Sequence, residues 1–340
     1  MTACVLYLGA RSGTSLHRAV AFQRLGYETL HISPRDLVPN SVWIDRLEWH
    51  VSPYVLSQVV RSKLLGLPDI AKVNLVWVDS GSLVSRELLD DLHSLGKPVV
   101  NFNHDDPYGK RDWIRFKEYR RAVPAYDLVV VVREPNVQEA KDLGAKDVML
   151  VTRTADDIAH VPRHITPLIR KQWDSEVSFI GTWMPERGPF LSRLVDSGVP
   201  ISIFGSGWHK AKEWRKLKPF HRRSHLEGDD YAYAVQCSKI SLGLLSKGNR
   251  DFHTTRSIEI PMLGGLLCAE RTGEHLAMYK EDTEAVFWSN VDECAEKCLA
   301  LVAADQNTRI NIAHAGQKRV LLSGNTSEGL ITKVIKRLGF

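Results

Sequence analysis

Residues 177–207 have the sequence VSFIGTWMPERGPFLSRLVDSGVPISIFGSG. An apolar run ends at Gly181, a helical pattern follows and closes at Gly198, and a second apolar run ends at Gly205. Short apolar runs that are joined by a helix are typical of parallel strands covered on both faces. The stretch therefore predicts a strand–helix–strand unit of an α/β domain.

The same alternation recurs along the chain. Apolar runs separated by helical patterns occupy 3–8, 75–79, 98–102, 127–132 and 147–151, and later 239–245, 265–270 and 284–288. Residues 152–174 interrupt this rhythm with two prolines and no clear period, which is typical of a linker. We therefore predict two α/β domains with doubly wound parallel sheets, residues 1–155 and 156–325. Ligands of such sheets bind at the carboxyl ends of the strands.

Composition describes an ordinary globular chain of 340 residues, with 44% hydrophobic and 25% charged residues. The net charge of +5 is too diffuse to indicate a nucleic-acid binder, but it suits anionic small ligands such as nucleotides. The N-terminal run lacks the pattern of a signal peptide, and no run has the roughly 20 apolar residues of a membrane span. We expect a cytoplasmic protein with at most a weak peripheral contact to the inner face of the membrane.

The five cysteines lie at positions 4, 237, 268, 294 and 298. They form no CxxC pair and no cysteine–histidine zinc spacing. Cys294 and Cys298 are one helical turn apart, but two thiols alone do not make a metal site. We expect free, buried cysteines and no metal.

Two loops of the first half follow predicted strands. The sequence GARSGT at 9–14 predicts either a plain strand-to-helix turn or a loop that lines a substrate through Arg11, Ser12 and Gly13. It is not a G-x-G-x-x-G fingerprint, so a nicotinamide cofactor is not expected. The other loop is NFNHDDP at 101–107.

In the second of these loops, His104 is a candidate for proton transfer or hydrogen bonding at a strand end. Its neighbours Asp105 and Asp106 are adjacent in sequence, so at most one of them is expected to face a ligand. A loop without chemistry remains the alternative.

Cations and acids of the second half form a third group. Arg187 lies in the first turn of the helix after Gly181, where a positive charge is unfavourable for the helix dipole. This cost favours a role outside the helix, such as gripping a phosphate, and an exposed arginine without such a role is the alternative. In LLSKGNRDFHTTRSIEIPMLGG (244–265), Lys247 and Arg250 precede a helix start at Thr254 or Thr255. Such a start suits a diphosphate, and a carboxylate beside it suits ribose hydroxyls. The alternative is a salt-bridged helix start.

The basic run at 209–225, HKAKEWRKLKPFHRRSH, carries Trp214 and Phe220. It predicts either a solvated face or a surface that touches anionic lipid or a charged acceptor.

With these residues in view, the chain resembles the GT-B glycosyltransferases of group 1, and within them the CgeB-like (spore-maturation type) branch. The resemblance rests on the order and spacing of VSFIGTWMPERGPFL, ISIFGSGW, KISLGLL, TTRSIEIPMLGGLLCAE and TRINIAHAGQKRVL. It implies two Rossmann-like domains facing across a cleft, an acceptor domain at 1–155 and a nucleotide-sugar donor domain at 156–325. A terminal helix at 326–340 would cross back to the first domain, and loops such as 34–60 would select the acceptor.

The resemblance also implies roles for single residues. Asp251 and Glu259 match an acid-x7-acid pattern, with Glu259 at the ribose. Arg187 and Lys247 correspond to the pair that neutralises the donor diphosphate, and His104 to the histidine that contacts the transferred sugar. The implied catalytic residues are His104, Asp105, Arg187 and Lys247. The implied donor-binding residues are Gly181, Thr182, Arg187, Gly205, Lys247, Thr255, Arg256 and Glu259.

The function implied by the resemblance is transfer of a sugar from a nucleotide sugar to a glycan, a lipid-linked glycan or a protein. Retention of anomeric configuration, independence from metal and no cofactor beyond the nucleotide-sugar co-substrate are implied as well. Two alternatives stay open. One is a nucleotide-sugar epimerase, for which His104 and Asp105 would form the acid/base pair. The other is a non-catalytic protein that binds a nucleotide sugar.

Overall fold

The computed structural model describes residues 2–39, 41 and 53–340 of the chain. These residues form two compact units. The first comprises residues 1–156, 248–250 and 326–340, and the second comprises residues 157–247 and 251–325. Each unit contains one six-stranded sheet.

The first sheet is parallel throughout and has the strand order β2-β1-β3-β4-β5-β6. Its strands are β1 (Cys4–Leu8), β2 (Glu28–Ile32), β3 (Leu75–Asp79), β4 (Val99–Asn103), β5 (Leu128–Val131) and β6 (Val148–Leu150). All residues of β1, β3, β4 and β5 are buried, which explains why these strands are continuous apolar runs rather than alternating ones.

Helices cover both faces of this sheet. They are α1 (Gly13–Arg24), α2 (Tyr54–Leu65), α3 (Arg86–Ser94), α4 (Lys117–Ala122) and α5 (Glu134–Asp142), with short 3-10 turns at Pro34–Leu37, Pro68–Lys72 and Val123–Ala125. The chain's last helix, which begins at Ser327, also belongs to this unit. Its buried residues Leu330, Ile331 and Val334 pack with Phe22 of α1 in one of the two apolar layers.

The second sheet is also parallel, with the order β12-β11-β10-β7-β8-β9. Its strands are β7 (Ser175–Ile180), β8 (Ile201–Phe204), β9 (His221–Arg223), β10 (Ser238–Gly243), β11 (Leu267–Glu270) and β12 (Val286–Trp288). The remaining helices are α6 (Pro167–Trp173), α7 (Arg187–Asp196), α8 (Trp214–Leu217), α9 (Gly228–Gln236), α10 (Arg256–Met262), α11 (Gly273–Met278), α12 (Val291–Ala303), α13 (Gln306–Ser323) and α14 (Ser327–Leu338). Further 3-10 turns lie at Trp208–Lys210, Lys218–Phe220 and Lys247–Asn249.

Two details differ from the sequence predictions. The segment 152–174 is not linker throughout, because its end forms α6, with the Thr166 side chain accepting a hydrogen bond from the backbone N–H of Ile169. The aromatic residues of the basic run are not part of a fully solvated face, because Trp214 and Phe220 pack against the core of the second unit. Within the described residues, no helix is both long and apolar enough to cross a membrane.

Candidate active sites of the two units

Strand order places one switch point in each sheet. In the first sheet, β2 and β3 lie on opposite sides of β1, so the switch point is between β1 and β3. In the second sheet, β8 and β10 lie on opposite sides of β7, so the switch point is between β7 and β10. Ligands of doubly wound sheets bind at the carboxyl ends of strands at such points. The loops after β1, β3, β7 and β10 are therefore the candidate sites.

Asp79 is the centre of a buried polar cluster in the first unit. It ends β3, and its Oδ2 accepts hydrogen bonds from the Tyr7 hydroxyl and from Arg18 Nε at 2.7 Å. Nδ1 of His104 lies 3.5 Å from the other carboxylate oxygen, Oδ1. The arginine and the acid are both buried, whereas the His104 side chain is 33% exposed. The cluster therefore links a buried ion pair to a histidine that solvent can reach.

Charge and hydrogen bonding determine the ionisation of this acid. Burial opposes ionisation of Asp79, but the Arg18 guanidinium, His104 and the Tyr7 hydroxyl outweigh it and hold the pKa of Asp79 well below its ordinary value. An ionised carboxylate beside Nδ1 favours the ring orientation in which Nδ1 faces Asp79. Asp79 was not among the predicted site residues, although an acid that ends the apolar run LVWVD (75–79) was an available signal.

A cavity of about 290 Å³ lies at this switch point. Its lining includes Gly9, Ala10, Asp79, Ser80, Gly81 and Arg115. A Cβ atom on Gly9 would lie 2.9 Å from Cβ of Asp79, so the loop needs glycine there. The predicted acceptor-lining residues Arg11, Ser12 and Gly13 belong to the same loop but not to the lining of this cavity. The predicted acceptor loops at 34–60 lie partly outside the described residues, since 40 and 42–52 are not described.

The two adjacent acids after β4 have different partners in the protein. Asp105 lies 3.8 Å from His104 Nε2 and 3.4 Å from Arg115 Nη1. Burial raises the pKa of Asp105, but His104 and Arg115 reverse this effect and lower it. Asp106 is instead buried in a two-pronged ion pair with Arg250, at 2.6 and 2.7 Å. The guanidinium of Arg250 also pairs with Glu139, so the phosphate role suggested for Arg250 is not supported.

Backbone contacts bring the loops after β7 and β8 together in the second unit. Gly205 has a φ of +129°, and a Cβ atom there would lie 2.1 Å from the carbonyl oxygen of Gly181. The hydroxyl of Thr182 lies 3.4 Å from that of Ser206. Glycine at 205 is therefore required by close backbone approach, and Thr182 lies at the exposed edge of the sheet.

Arg187 is buried at the start of α7. Its guanidinium donates to the carbonyl oxygens of Thr182 (2.8 Å) and Leu244 (3.2 Å), which follow the two central strands of the sheet. Burial lowers the pKa of Arg187. Its Nε is buried and has no hydrogen-bond partner among the described residues. The arginine thus fastens the loops after β7 and β10 to each other, a role that sequence spacing did not reveal.

Lys247 lies in the loop after β10, with 57% of its side chain exposed. Its ammonium pairs with Glu270 Oε1 at 2.5 Å, and its backbone N–H donates to Glu186. The exposed ammonium is available to an anion that competes with Glu270.

Glu259 is the centre of the buried network of this unit, and only 2% of the residue is exposed. Its Oε2 accepts hydrogen bonds from the Tyr231 hydroxyl at 3.1 Å and from Arg256, and its Oε1 lies 3.5 Å from His160 Nε2. Arg256 also stacks over the Tyr231 ring, with Cζ 4.3 Å from the ring centroid. Burial opposes ionisation, but Arg256 and His160 outweigh it and lower the pKa of Glu259. Both carboxylate oxygens of Glu259, the residue predicted to bind the ribose, therefore already have protein partners.

The helix near these residues starts where the sequence predicts it, with Thr255 at the N-cap. Helix α10 begins at Arg256, so Asp251 lies before the helix and only Glu259 of the acid-x7-acid pattern lies within it. Thr255 occupies the N-cap position, but its side chain makes no capping hydrogen bond. Gly264, with a φ of +78°, follows the end of the helix at Met262.

Comparisons with known proteins agree with this arrangement. Residues 187–335 match the sequence model of a family described as "Glycosyl transferase-like". A comparison with curated protein sequences gave no significant match.

Several solved structures are similar to the whole chain. HepE of Anabaena, crystallised with UDP and with UDP-glucose, is 12% and 11% identical, with a TM-score of 0.67 and 100% of both chains covered. Sucrose-phosphate synthase of Thermosynechococcus elongatus is 11% identical, with a TM-score of 0.66 and 99% of both chains covered. The α,α-trehalose-phosphate synthase (UDP-forming) of Burkholderia vietnamiensis is 10% identical, with a TM-score of 0.65 and coverage of 100% of this chain and 98% of that one.

These findings confirm the predicted α/β fold of GT-B type. The prediction that the chain is a glycosyltransferase is confirmed by the family match over residues 187–335. Assignment to the CgeB-like branch and the roles of single residues stay predictions.

Proposed function

We propose that this chain transfers a sugar from a nucleotide-sugar donor to an acceptor hydroxyl group, and that it belongs to the CgeB-like branch. One observation carries the proposal. The glycosyl transferase-like match at 187–335 spans the cations and the acid at the switch point of the second sheet, Lys247, Arg256 and Glu259. Structures similar over their full length contain UDP or UDP-glucose, so a uridine nucleotide is the first donor to test.

The second unit supplies positive charge for the leaving group. As the acceptor hydroxyl oxygen bonds to the anomeric carbon, the bond to the diphosphate breaks, the nucleoside diphosphate leaves as an anion, and the hydroxyl proton passes to a phosphate oxygen or to solvent. The exposed ammonium of Lys247 can stabilise this charge electrostatically once it exchanges Glu270 for phosphate. Arg187 holds the loops after β7 and β10 together and so keeps Lys247 in position to meet the diphosphate. We propose that Lys247 neutralises the diphosphate without a metal while Arg187 positions its loop, which predicts activity that does not change when Mg²⁺ or Mn²⁺ is added.

Glu259 is proposed to act at the ribose in concert with its neighbours. Because its oxygens already bind Tyr231 and Arg256, the carboxylate would orient these side chains as well as accept a ribose hydroxyl. Glu259→Gln keeps the shape and removes the charge. We expect weaker binding of the nucleoside diphosphate, and an unchanged dissociation constant would exclude the ribose assignment.

His104 is proposed to contact the transferred sugar. Its Nδ1 faces the ionised Asp79 at 3.5 Å, so in the neutral ring Nε2 is the acceptor for a sugar hydroxyl that replaces the 3.8 Å contact of Nε2 with Asp105. We expect His104→Ala to lower turnover while the dissociation constant of the nucleotide stays the same. His93→Ala is a matched control, because His93 also pairs with an aspartate, Asp127 at 2.8 Å, near the amino end of β5. Equal losses in both variants would make His104 a structural histidine.

The first experiment is a thermal-shift screen with UDP, GDP, ADP, CMP and dTDP. A nucleotide that binds the folded protein raises the melting temperature by mass action. The matching nucleotide sugar is then incubated with and without candidate acceptors, and the anomeric configuration of the product is determined by NMR. Retention at the anomeric carbon is expected. Epimerised sugar in the absence of acceptor would instead identify an epimerase, and no shift with any nucleotide would contradict the proposal.

A further inference from the structure

Three cysteines that are distant in sequence meet inside the second unit. Cys268 lies on β11, and Cys294 and Cys298 lie one turn apart on α12. All three are fully buried, and their sulfur atoms lie within 4.8 Å of one another. In the described part of the chain, no other three His, Cys, Asp or Glu side chains bring ligand atoms this close.

The spacing of these sulfur atoms suits a single bound cation. A zinc–sulfur bond is about 2.3 Å long, so three sulfur atoms around one ion are about 3.8–4.0 Å apart in tetrahedral or trigonal geometry. The sulfur atoms are at most 4.8 Å apart, and small rotations of the cysteine side chains would bring them to the distance that a bound cation requires. We infer that Cys268, Cys294 and Cys298 form a three-sulfur binding site for a thiophilic metal cation.

The ligand set determines the class of cation. Thiolates favour Zn²⁺, Cd²⁺ and Cu⁺ over the oxygen-seeking Mg²⁺ and Mn²⁺. Binding displaces the thiol protons to solvent, so affinity rises with pH. Three thiolates around a divalent cation have a net charge of −1, and two thiolates with one thiol are neutral. The surrounding core residues Leu242, Val286 and Trp288 are apolar, which favours the arrangement of lower charge.

The position of the site assigns it a structural role. A cation held there would cross-link α12 to β11, whose last residue, Glu270, pairs with Lys247. It would stabilise the second unit without touching the reacting groups. The inference is independent of the proposed transferase activity and of the proposal that the diphosphate is neutralised without a metal.

The test uses the reduced wild-type protein in two forms, one produced in cadmium-supplemented medium and one incubated with Cd²⁺ after purification. We expect about one cadmium per chain by elemental analysis, a thiolate-to-metal charge-transfer band in the ultraviolet and a higher melting temperature. Cys298→Ala should lose the band. Cys237→Ala is the matched control, because Cys237 is buried in the same unit but outside the cluster, and it should keep the band.

A second measurement does not depend on a variant that folds. X-ray absorption of the zinc-loaded wild type should show sulfur ligands at about 2.3 Å. Absence of bound metal from both preparations, nitrogen and oxygen ligands alone, or a charge-transfer band that survives Cys298→Ala in a folded protein would each overturn the inference. A disulfide between two of the three cysteines in the protein as purified under reducing conditions would also overturn it.

Discussion

Replacement of Glu259 by glutamine tests whether the buried network of the second unit is an ion pair that the fold needs. Breaking a buried ion pair by removing one charge costs about 3–5 kcal/mol, because the other charge is left without compensation. The Arg256 side chain is 31% exposed, so water compensates part of its charge. The new amide can still accept from the Tyr231 hydroxyl. We therefore expect the free energy of unfolding to fall by about 2–3 kcal/mol.

The assay is urea unfolding at pH 7, followed by circular dichroism and tryptophan fluorescence. Glu270→Gln is the control, because it makes the same chemical change in the ion pair with Lys247, whose side chain is 57% exposed. A pair this exposed contributes at most about 1 kcal/mol. The free energies of unfolding of the two variants should thus differ by more than the error of the measurement, and their m-values should be unchanged. A Glu259→Gln variant that loses no more stability than Glu270→Gln would refute the reasoning.

Three further predictions concern the switch points. The pKa of Asp79 is lower in the folded protein than its ordinary value of about 4, so this carboxylate stabilises the fold above that pH and the contribution is lost as the pH falls toward the folded value. Asp79→Asn should therefore destabilise the protein at pH 7 and weaken the loss of stability below about pH 4, as urea unfolding at several pH values will show. Gly205→Ala should cost at least about 3 kcal/mol, because its Cβ atom would lie 2.1 Å from a carbonyl oxygen at a φ of +129°. Gly273→Ala, with no atom within 4 Å of the added Cβ, should change the melting temperature little. Asp79→Asn should also lower turnover by releasing His104 while nucleotide affinity is kept, and retained turnover would contradict a positioning role for Asp79.

Most of the fold was predictable because short local patterns in the sequence indicate its strands and loops. The apolar runs at 75–79 and 127–132 are continuous, since their strands are buried on both faces, and glycines such as Gly181 and Gly205 mark the loops that follow strands. The terminal helix, in contrast, was expected only from the resemblance to GT-B glycosyltransferases and not from a local pattern. Helix α6 was not predictable from local patterns, because a helix of only seven residues that begins with Pro167 is too short to show a helical period in the sequence.

The candidate sites were predictable only in part. His104 and Lys247 are placed at strand ends by the sequence alone, because the carboxyl edge of a parallel sheet follows from the order of strands and loops. The partners of these side chains are not local. Asp79 is 25 residues from His104 in sequence, and Glu259 meets Tyr231 and His160 only through packing of separate elements.

The amino-acid sequence by itself determined the alternation of strands and helices, the two parallel sheets and the class of ligand that their edges suit, since each depends on the spacing of apolar residues, glycines and charges within short windows. Tertiary structure alone decided which charges pair within the protein and which stay exposed at the strand ends. It buried Glu259 and Arg187 among protein partners, left Lys247 exposed and brought Cys268 to the two thiols of α12. The physical reason is that burial and pairing depend on which elements pack together, and residues far apart in sequence carry no mark of that packing.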